Sequence, residues 1–157
     1  MKPIAIFFHC VFFNSDGTKR DVSHPYIGGG PLIQRYVKEL RDSGLLAAAS
    51  KFFAGINGGE ESVVYAKCYI PEAEHLMHGT DCRSSNYTTK AMRDFAVANP
   101  GWNIFQFHAK GIAHNIPQYE SYHEFENRWI NCMVKHCIHN WRTCVEDLET
   151  HDSVGCH

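Results

Sequence analysis

The sequence contains no apolar run that approaches the roughly 20 residues required for a membrane-spanning helix. It also has little net charge, −2 over 157 residues, and so lacks the basic character typical of nucleic-acid-binding proteins. Internal repeats and low-complexity segments are absent as well. With 44% hydrophobic and 20% charged residues, the chain is predicted to form a single globular domain over residues 1–157 that needs no disulfides for stability.

Targeting signals are also missing. The first apolar run, from Ile4 to Phe13, contains His9 and has no small-residue cleavage site, so it is predicted to be a strand and not a leader. The seven cysteines are odd in number and scattered through apolar segments. This pattern predicts reduced, mostly core cysteines in a cytoplasmic protein.

Motifs for common nucleophiles, nucleotides and metals are absent. The glycines Gly28 to Gly30 precede a predicted helix, yet their spacing fits neither the dinucleotide fingerprint nor the phosphate-binding loop, so a flexible connection or a flap is predicted. There is no Gly-x-Ser-x-Gly elbow, and His9 and Cys10 point to opposite faces because they are adjacent in a strand. The chain has eleven histidines but no ligand pair with metal spacing, so no structural metal is expected.

Strand and helix patterns alternate along the chain. The Ile4 to Phe13 run is apolar apart from His9 and shows no alternation of polar and apolar residues, which predicts a central strand covered on both faces. A helix follows from Pro31 and stops at Gly44, with an extra turn over Leu45 to Ala49. Two strands are predicted next, Lys51–Ile56 and Ser62–Tyr69, and their relative direction is left open. A helix capped by Thr88 or Thr89 follows and ends before Pro100. The last predicted elements are strand Trp102–Phe107, helix Glu120–Thr150 and strand Asp152–Cys156. This order predicts an α/β, three-layer Rossmann-like sandwich with a mostly parallel sheet.

The long predicted helix carries apolar residues every three or four positions. These residues should form one buried stripe along it. They are Phe125, Trp129, Met133, Cys137, Trp141, Cys144 and Leu148.

The segment that follows strand Trp102–Phe107 is the best candidate for a site. In open α/β sheets, ligands bind just outside the carboxyl ends of the strands, where His108 and Lys110 are predicted to lie. These two residues share one side of an extended chain, Lys110 favours an anion, and Gly111 allows close backbone approach. The alternative is a strand end with a surface lysine.

Phe105-Gln-Phe-His108-Ala-Lys110-Gly111-Ile112-Ala-His114 resembles a motif of viral and bacterial glycosyltransferases with a GT-A-like fold, Tyr/Phe-x-His-x-Lys-Gly-Val/Ile-x-His. The resemblance continues into the Trp-rich helix and the Asp-x-Val-Gly segment, and into Ser-Gly-Leu and Ile-Asn-Gly steps upstream. The residues that carry it there are Trp129, Met133, Trp141, Cys144, Leu148, Asp152, Val154 and Gly155, together with Ser43-Gly44-Leu45 and Ile56-Asn57-Gly58.

The resemblance implies the nucleotide-sugar-binding half of such an enzyme. It implies a substrate site made of His108, Lys110, Gly111, His114, His9, Asn14, Asn57 and Gly58. The Asp-x-Asp metal motif of GT-A enzymes is replaced by His108-Ala-Lys110, so Lys110 could replace the metal as the cation that stabilises the leaving diphosphate, and a role for Mn²⁺ or Mg²⁺ is left open.

The same resemblance leaves the enzymatic status open. The acceptor half and the catalytic base are expected beyond residue 157 in relatives, so no base is assigned. If that half is missing, an exposed apolar face should cause self-association as a homo-oligomer. The alternative is a non-catalytic module that binds a nucleotide or a partner, and a metal-dependent hydrolase built from the histidines ranks third.

Overall fold

The structure is a computed structural model that describes residues 1–11, 29–57, 60–77, 85–108 and 128–151. Within these ranges the strands form a four-stranded sheet in which every pair is parallel. In chain order the elements are β1 (Ile4–Val11), α1 (Gly29–Asp42), α2 (Leu45–Ala48), β2 (Lys51–Asn57), α3 (Glu60–Tyr69), β3 (Glu74–Met77), α4 (Asn86–Ala98), β4 (Asn103–His108), α5 (128–133), a π-helix (Val134–His139) and α6 (Trp141–Thr150).

Strand β1 is central, as its uninterrupted apolar sequence predicted. The strand order is β3-β2-β1-β4, and all eight residues of β1 are buried. Helices cover both faces of the sheet, which explains why this strand shows no polar alternation.

Alternate residues of β1 face different helices. Ile4, Ile6 and Phe8 pack in the larger core cluster with residues of α1, α3, α5, the π-helix and α6. Phe7 faces the opposite side, where it stacks on Phe53 with ring centroids 4.7 Å apart and meets Phe95 of α4 edge to face. The period of two along the strand therefore decides which helical layer each side chain contacts.

The end of α1 is also as predicted. Gly44 adopts a left-handed conformation with φ 76°, which terminates the helix, and the short α2 begins at the next residue.

The predicted strand Ser62–Tyr69 is wrong, because these residues belong to helix α3. Its buried positions Ser62 and Ala66, together with Ile70 directly after the helix, recur every four residues, which is helical spacing. A parallel connection from β2 to β3 also needs a crossover. The third strand is instead Glu74–Met77, and it pairs with β2 in parallel.

Two helix predictions need correction. Helix α4 has Ser85 at its N-cap, so Thr88 and Thr89 lie inside its first turn and do not cap it. The predicted long helix is interrupted by the π-helix, and its most buried residues are shifted by one from the predicted stripe, except at Trp141. They are Ile130, Val134, Ile138, Trp141 and Val145.

The cysteine prediction is also only partly right. Cys10 is buried, Cys137 and Cys144 are half-buried, and Cys68 and Cys132 are exposed. All of these described cysteines are free thiols.

Several predicted features lie outside the described residues. These are Phe12 and Phe13, the glycine Gly28, residues 120–127 with Phe125, and the strand Asp152–Cys156. Among the described helices, none combines the length and the apolar character needed to cross a membrane.

Candidate functional site

The carboxyl ends of β1 and β4 meet where the strand order changes direction. The chain adds β2 and β3 on one side of β1 and then returns to place β4 on the other side. In open parallel sheets such a reversal leaves a crevice at the carboxyl ends of the two strands, which is the usual place for a ligand. The predicted site residue His108 is the last residue of β4.

His9 and His108 are cross-strand partners at this point. Their rings stack with centroids 4.9 Å apart and an interplanar angle of 24°. The His9 side chain is only 1% exposed, whereas His108 is exposed. His108 is therefore the more accessible imidazole of the stacked pair.

Two threonines in the first turn of α4 form hydrogen bonds with side chains of β1 and β4 near this edge. The Nδ1 atom of His9 hydrogen-bonds to the hydroxyl of Thr88 at 2.9 Å, and both groups are buried. The next residue of α4, Thr89, accepts a hydrogen bond through its hydroxyl from the side-chain amide nitrogen of Gln106 in β4, at 3.1 Å. These bonds fix the orientation of the strand ends, and neither threonine was predicted as a site residue. A Thr-Thr pair in a first helical turn is the signal that could have indicated them.

Asn57 lies at the same edge of the sheet, on the other side of β1. It ends β2, is fully buried, and is in register with Val11. His9 itself is in register with Gly55, which has no side chain to cover the imidazole. The structure therefore brings His9, His108 and Asn57 to one edge of the sheet.

A cavity of 290 Å³ opens beside His108 at the end of β4. In the described sheet β4 is the last strand, so its outer edge is not covered by another strand. The cavity is lined by residues from both faces of the sheet. Its lining consists of Tyr36, Ser85, Gln106, Phe107, His108, Trp129 and Met133. Tyr36 and Trp129 were not predicted as site residues, because only the fold brings them next to β4.

The described residues do not fit a metal ion. They contain no group of three or more His, Cys, Asp or Glu side chains placed to hold one. The two stacked imidazoles cannot share an ion, because ring nitrogens present their lone pairs in the ring plane and the two planes are nearly parallel.

Cys10 is not a nucleophile in this arrangement. Its side chain belongs to the core cluster on the α1 side of the sheet, opposite the face on which His9 meets Thr88. Burial raises the pKa of the Cys10 thiol well above its usual range, so the reactive thiolate is disfavoured. The prediction that His9 and Cys10 face opposite sides is confirmed.

The other predicted site residues, Asn14, Gly58, Lys110, Gly111 and His114, lie outside the described residues. Comparison of the sequence with known protein families and with curated proteins finds no match. A family assignment therefore depends on the motif resemblance alone.

Proposed function

We propose that this protein binds a nucleoside diphosphate or a nucleotide sugar at the carboxyl ends of β1 and β4, as the donor-binding part of a glycosyltransferase with a Rossmann-like, GT-A-like architecture. The observation that carries the proposal is the stacking of His108 on His9 where the strand order reverses. A buried, hydrogen-bonded imidazole that supports an exposed one is a preorganised binding surface.

The proposed chemistry is recognition of a phosphate group. An imidazole N–H of His108 donates to a phosphate oxygen, and Lys110 supplies a positive charge two residues later in the chain. This assignment of Lys110 stays a prediction. In sugar transfer the two groups would stabilise the negative charge that develops on the leaving diphosphate.

Binding without catalysis is the alternative function. No catalytic base is assigned in this chain, and a module of this kind would still bind the nucleotide. The two functions differ in a transfer assay with an acceptor, because only the enzyme releases free nucleoside diphosphate. A metal-dependent hydrolase is less well supported, since the described residues hold no metal-binding group. Self-association stays a prediction, which light scattering at high concentration tests.

The first experiment is calorimetric titration with UDP, GDP and their sugar conjugates, with and without Mn²⁺. His108→Ala and Lys110→Ala should each weaken binding by roughly ten- to a hundredfold, because a charge-assisted bond to phosphate contributes about 1.5–3 kcal/mol. His136→Ala and Lys67→Ala are matched controls, since both replace exposed side chains on helices and should leave the affinity unchanged.

Two results would overturn the proposal. One is a parent protein that binds none of these nucleotides at millimolar concentration. The other is an affinity that is the same in the parent and in both site variants.

A further inference from the structure

The last helices of the described chain carry a second apolar stripe beside the one that packs in the core. The core stripe runs from Ile130 to Val145 and is buried. The second, which we name the outer stripe, is only half-buried. It consists of Met133, Cys137, Cys144 and Leu148. A row of partly exposed apolar side chains on one helix face indicates a surface that packs against a further segment.

The outer stripe forms one wall of a groove along the outer edge of β4. The groove has a volume of 540 Å³, its opposite wall includes Met92 and Ala96 of α4, and its floor is β4 itself. Within the described sheet β4 pairs with β1 only, and an edge strand presents backbone N–H and C=O groups that its one neighbour does not use. The groove therefore combines apolar walls with backbone hydrogen-bonding groups, as sites for an added strand do.

Helix α6 ends beside the start of this groove. The carboxylate of Glu149 accepts hydrogen bonds from the backbone N–H of Lys2 at 2.6 Å and from the side-chain amide of Asn103 at 3.0 Å, and Asn103 is the first residue of β4. Two residues after Glu149 the backbone is already extended, because His151 has φ −123° and ψ 105°. The chain therefore leaves α6 in the conformation of a strand, next to the amino end of β4.

The chain beyond His151 has the length and the direction for a strand beside β4. Residues 152–157 are as many as the six residues of β4. A strand that starts at the amino end of β4 and follows its edge is parallel to it, and the helices over 128–150 then supply the crossover that two parallel strands require. The sheet would continue to grow on the side to which β4 was added.

Side-chain alternation gives this segment one apolar face. Val154 and Cys156 share a face because they are two positions apart in a strand. In a parallel register that starts level with Asn103, they stand beside Phe105 and Phe107. These phenylalanines belong to the core cluster against which the two cysteines of the outer stripe also pack. The apolar face of the segment therefore matches the apolar wall of the groove.

We propose that residues 152–156 form a fifth strand that pairs in parallel with β4 of the same chain and packs Val154 and Cys156 against the outer stripe. The pairing uses the backbone groups along the outer edge of β4, and it protects that edge from strand addition by other chains. The inference goes beyond the proposed function and holds whether or not a nucleotide binds.

Native cysteines report on this pairing in the full-length chain. A short bis-maleimide should join Cys156 to Cys137 or Cys144 within one molecule, and peptide mass spectrometry of the monomer fraction identifies the link. Cys68 is the internal control, because it is exposed on α3, which packs on β2 and β3, and it should form no link with Cys156.

A substitution in the segment tests the apolar contact. Val154→Asp places a charge against the apolar wall, so it should abolish the Cys156 link. It should also raise hydrogen exchange at the outward amides of β4, measured by NMR, about tenfold more than exchange in β1. Val97→Asp is the matched control, because Val97 is 76% exposed on α4 and is not part of the described lining, so this variant should keep the link.

Three results would overturn the inference. The first is a link from Cys156 to a cysteine of the outer stripe in a second molecule, which would assign the groove to another copy of the chain. The second is a folded parent that forms no such link although every thiol reacts with a maleimide after unfolding. The third is a folded Val154→Asp variant that keeps both the link and the exchange rates of the parent. Because the first two results need no variant, the test stands even if Val154→Asp does not fold.

Discussion

The two imidazoles of the candidate site have different surroundings although they are neighbours in the sheet. His9 is buried between β2, β4 and α4, whereas His108 is an exposed residue at the end of an edge strand of the described sheet. Sequence spacing placed both residues near strand ends. It could not assign their roles, because the burial of each depends on which strand lies beside it.

Thr88 should contribute measurably to stability through its bond to His9. Thr88→Val keeps the shape of the side chain but removes the hydroxyl from a buried hydrogen bond, so it should lower the free energy of unfolding by about 1–3 kcal/mol. Urea unfolding measures this change. Thr89→Val is the control, because Thr89 is exposed and water can replace its bond to Gln106, so the effect should stay within about 0.5 kcal/mol. Equal losses in both variants would contradict the assigned role of Thr88.

At the scale of elements, the sequence misled in α3 for an identifiable reason. β-Branched residues such as Val63 and Val64 favour strands, yet Val64 is 61% exposed and the buried residues of the helix are the small ones, Ser62 and Ala66. Tertiary packing against β2 and α1 overrode local propensity.

The helical layer over β1 depends on Trp141 more than on Trp129. The Trp141 side chain is 2% exposed, donates its Nε1–H to the Ser43 carbonyl at 3.0 Å, and is covered by the Arg142 guanidinium. Trp141→Ala should therefore lower the free energy of unfolding by about 3–5 kcal/mol. Trp129→Ala should have a smaller effect because Trp129 is half-buried. Chemical denaturation of both variants measures the difference, and the opposite order would place the main helical contact elsewhere.

At the scale of the whole molecule, the α/β class, the parallel sheet and the central position of β1 were predictable. They follow from one continuous apolar strand and from the alternation of elements, both of which are local patterns. The cavity was not predictable, because Tyr36, Ser85 and Trp129 come from separate helices and meet only after packing.

Glu149 links α6 to the N-terminal residue Lys2 and to Asn103 at the start of β4. Its contribution to the free energy of unfolding should depend on pH. The backbone N–H of Lys2 donates to its carboxylate at 2.6 Å and Asn103 donates at 3.0 Å, and these bonds lower the pKa of Glu149. A lowered pKa means that the stabilisation is present above the ordinary carboxyl pKa and is lost as the pH falls through the folded-state value. The difference in melting temperature between the parent and Glu149→Gln should therefore be largest near neutral pH and shrink on acidification.

Glu146→Gln is the matched control for this pH dependence. It removes the same charge from an exposed position on the same helix, away from Lys2 and Asn103. The difference in melting temperature between Glu146→Gln and the parent should not shrink on acidification in the same way. If both variants show the same profile, the effect comes from net charge and not from the contacts of Glu149.

The bond between His9 and Thr88 joins residues 79 positions apart in the chain. Bringing such distant residues together costs loop-closure entropy that is offset only when the native contacts form. Pairing of β4 with β1 requires the chain to return across the sheet after β3. The candidate site at the ends of β1 and β4 is therefore built from non-local contacts, so a fragment that ends before β4 would lack the stacked histidines even though it contains β1 and β2.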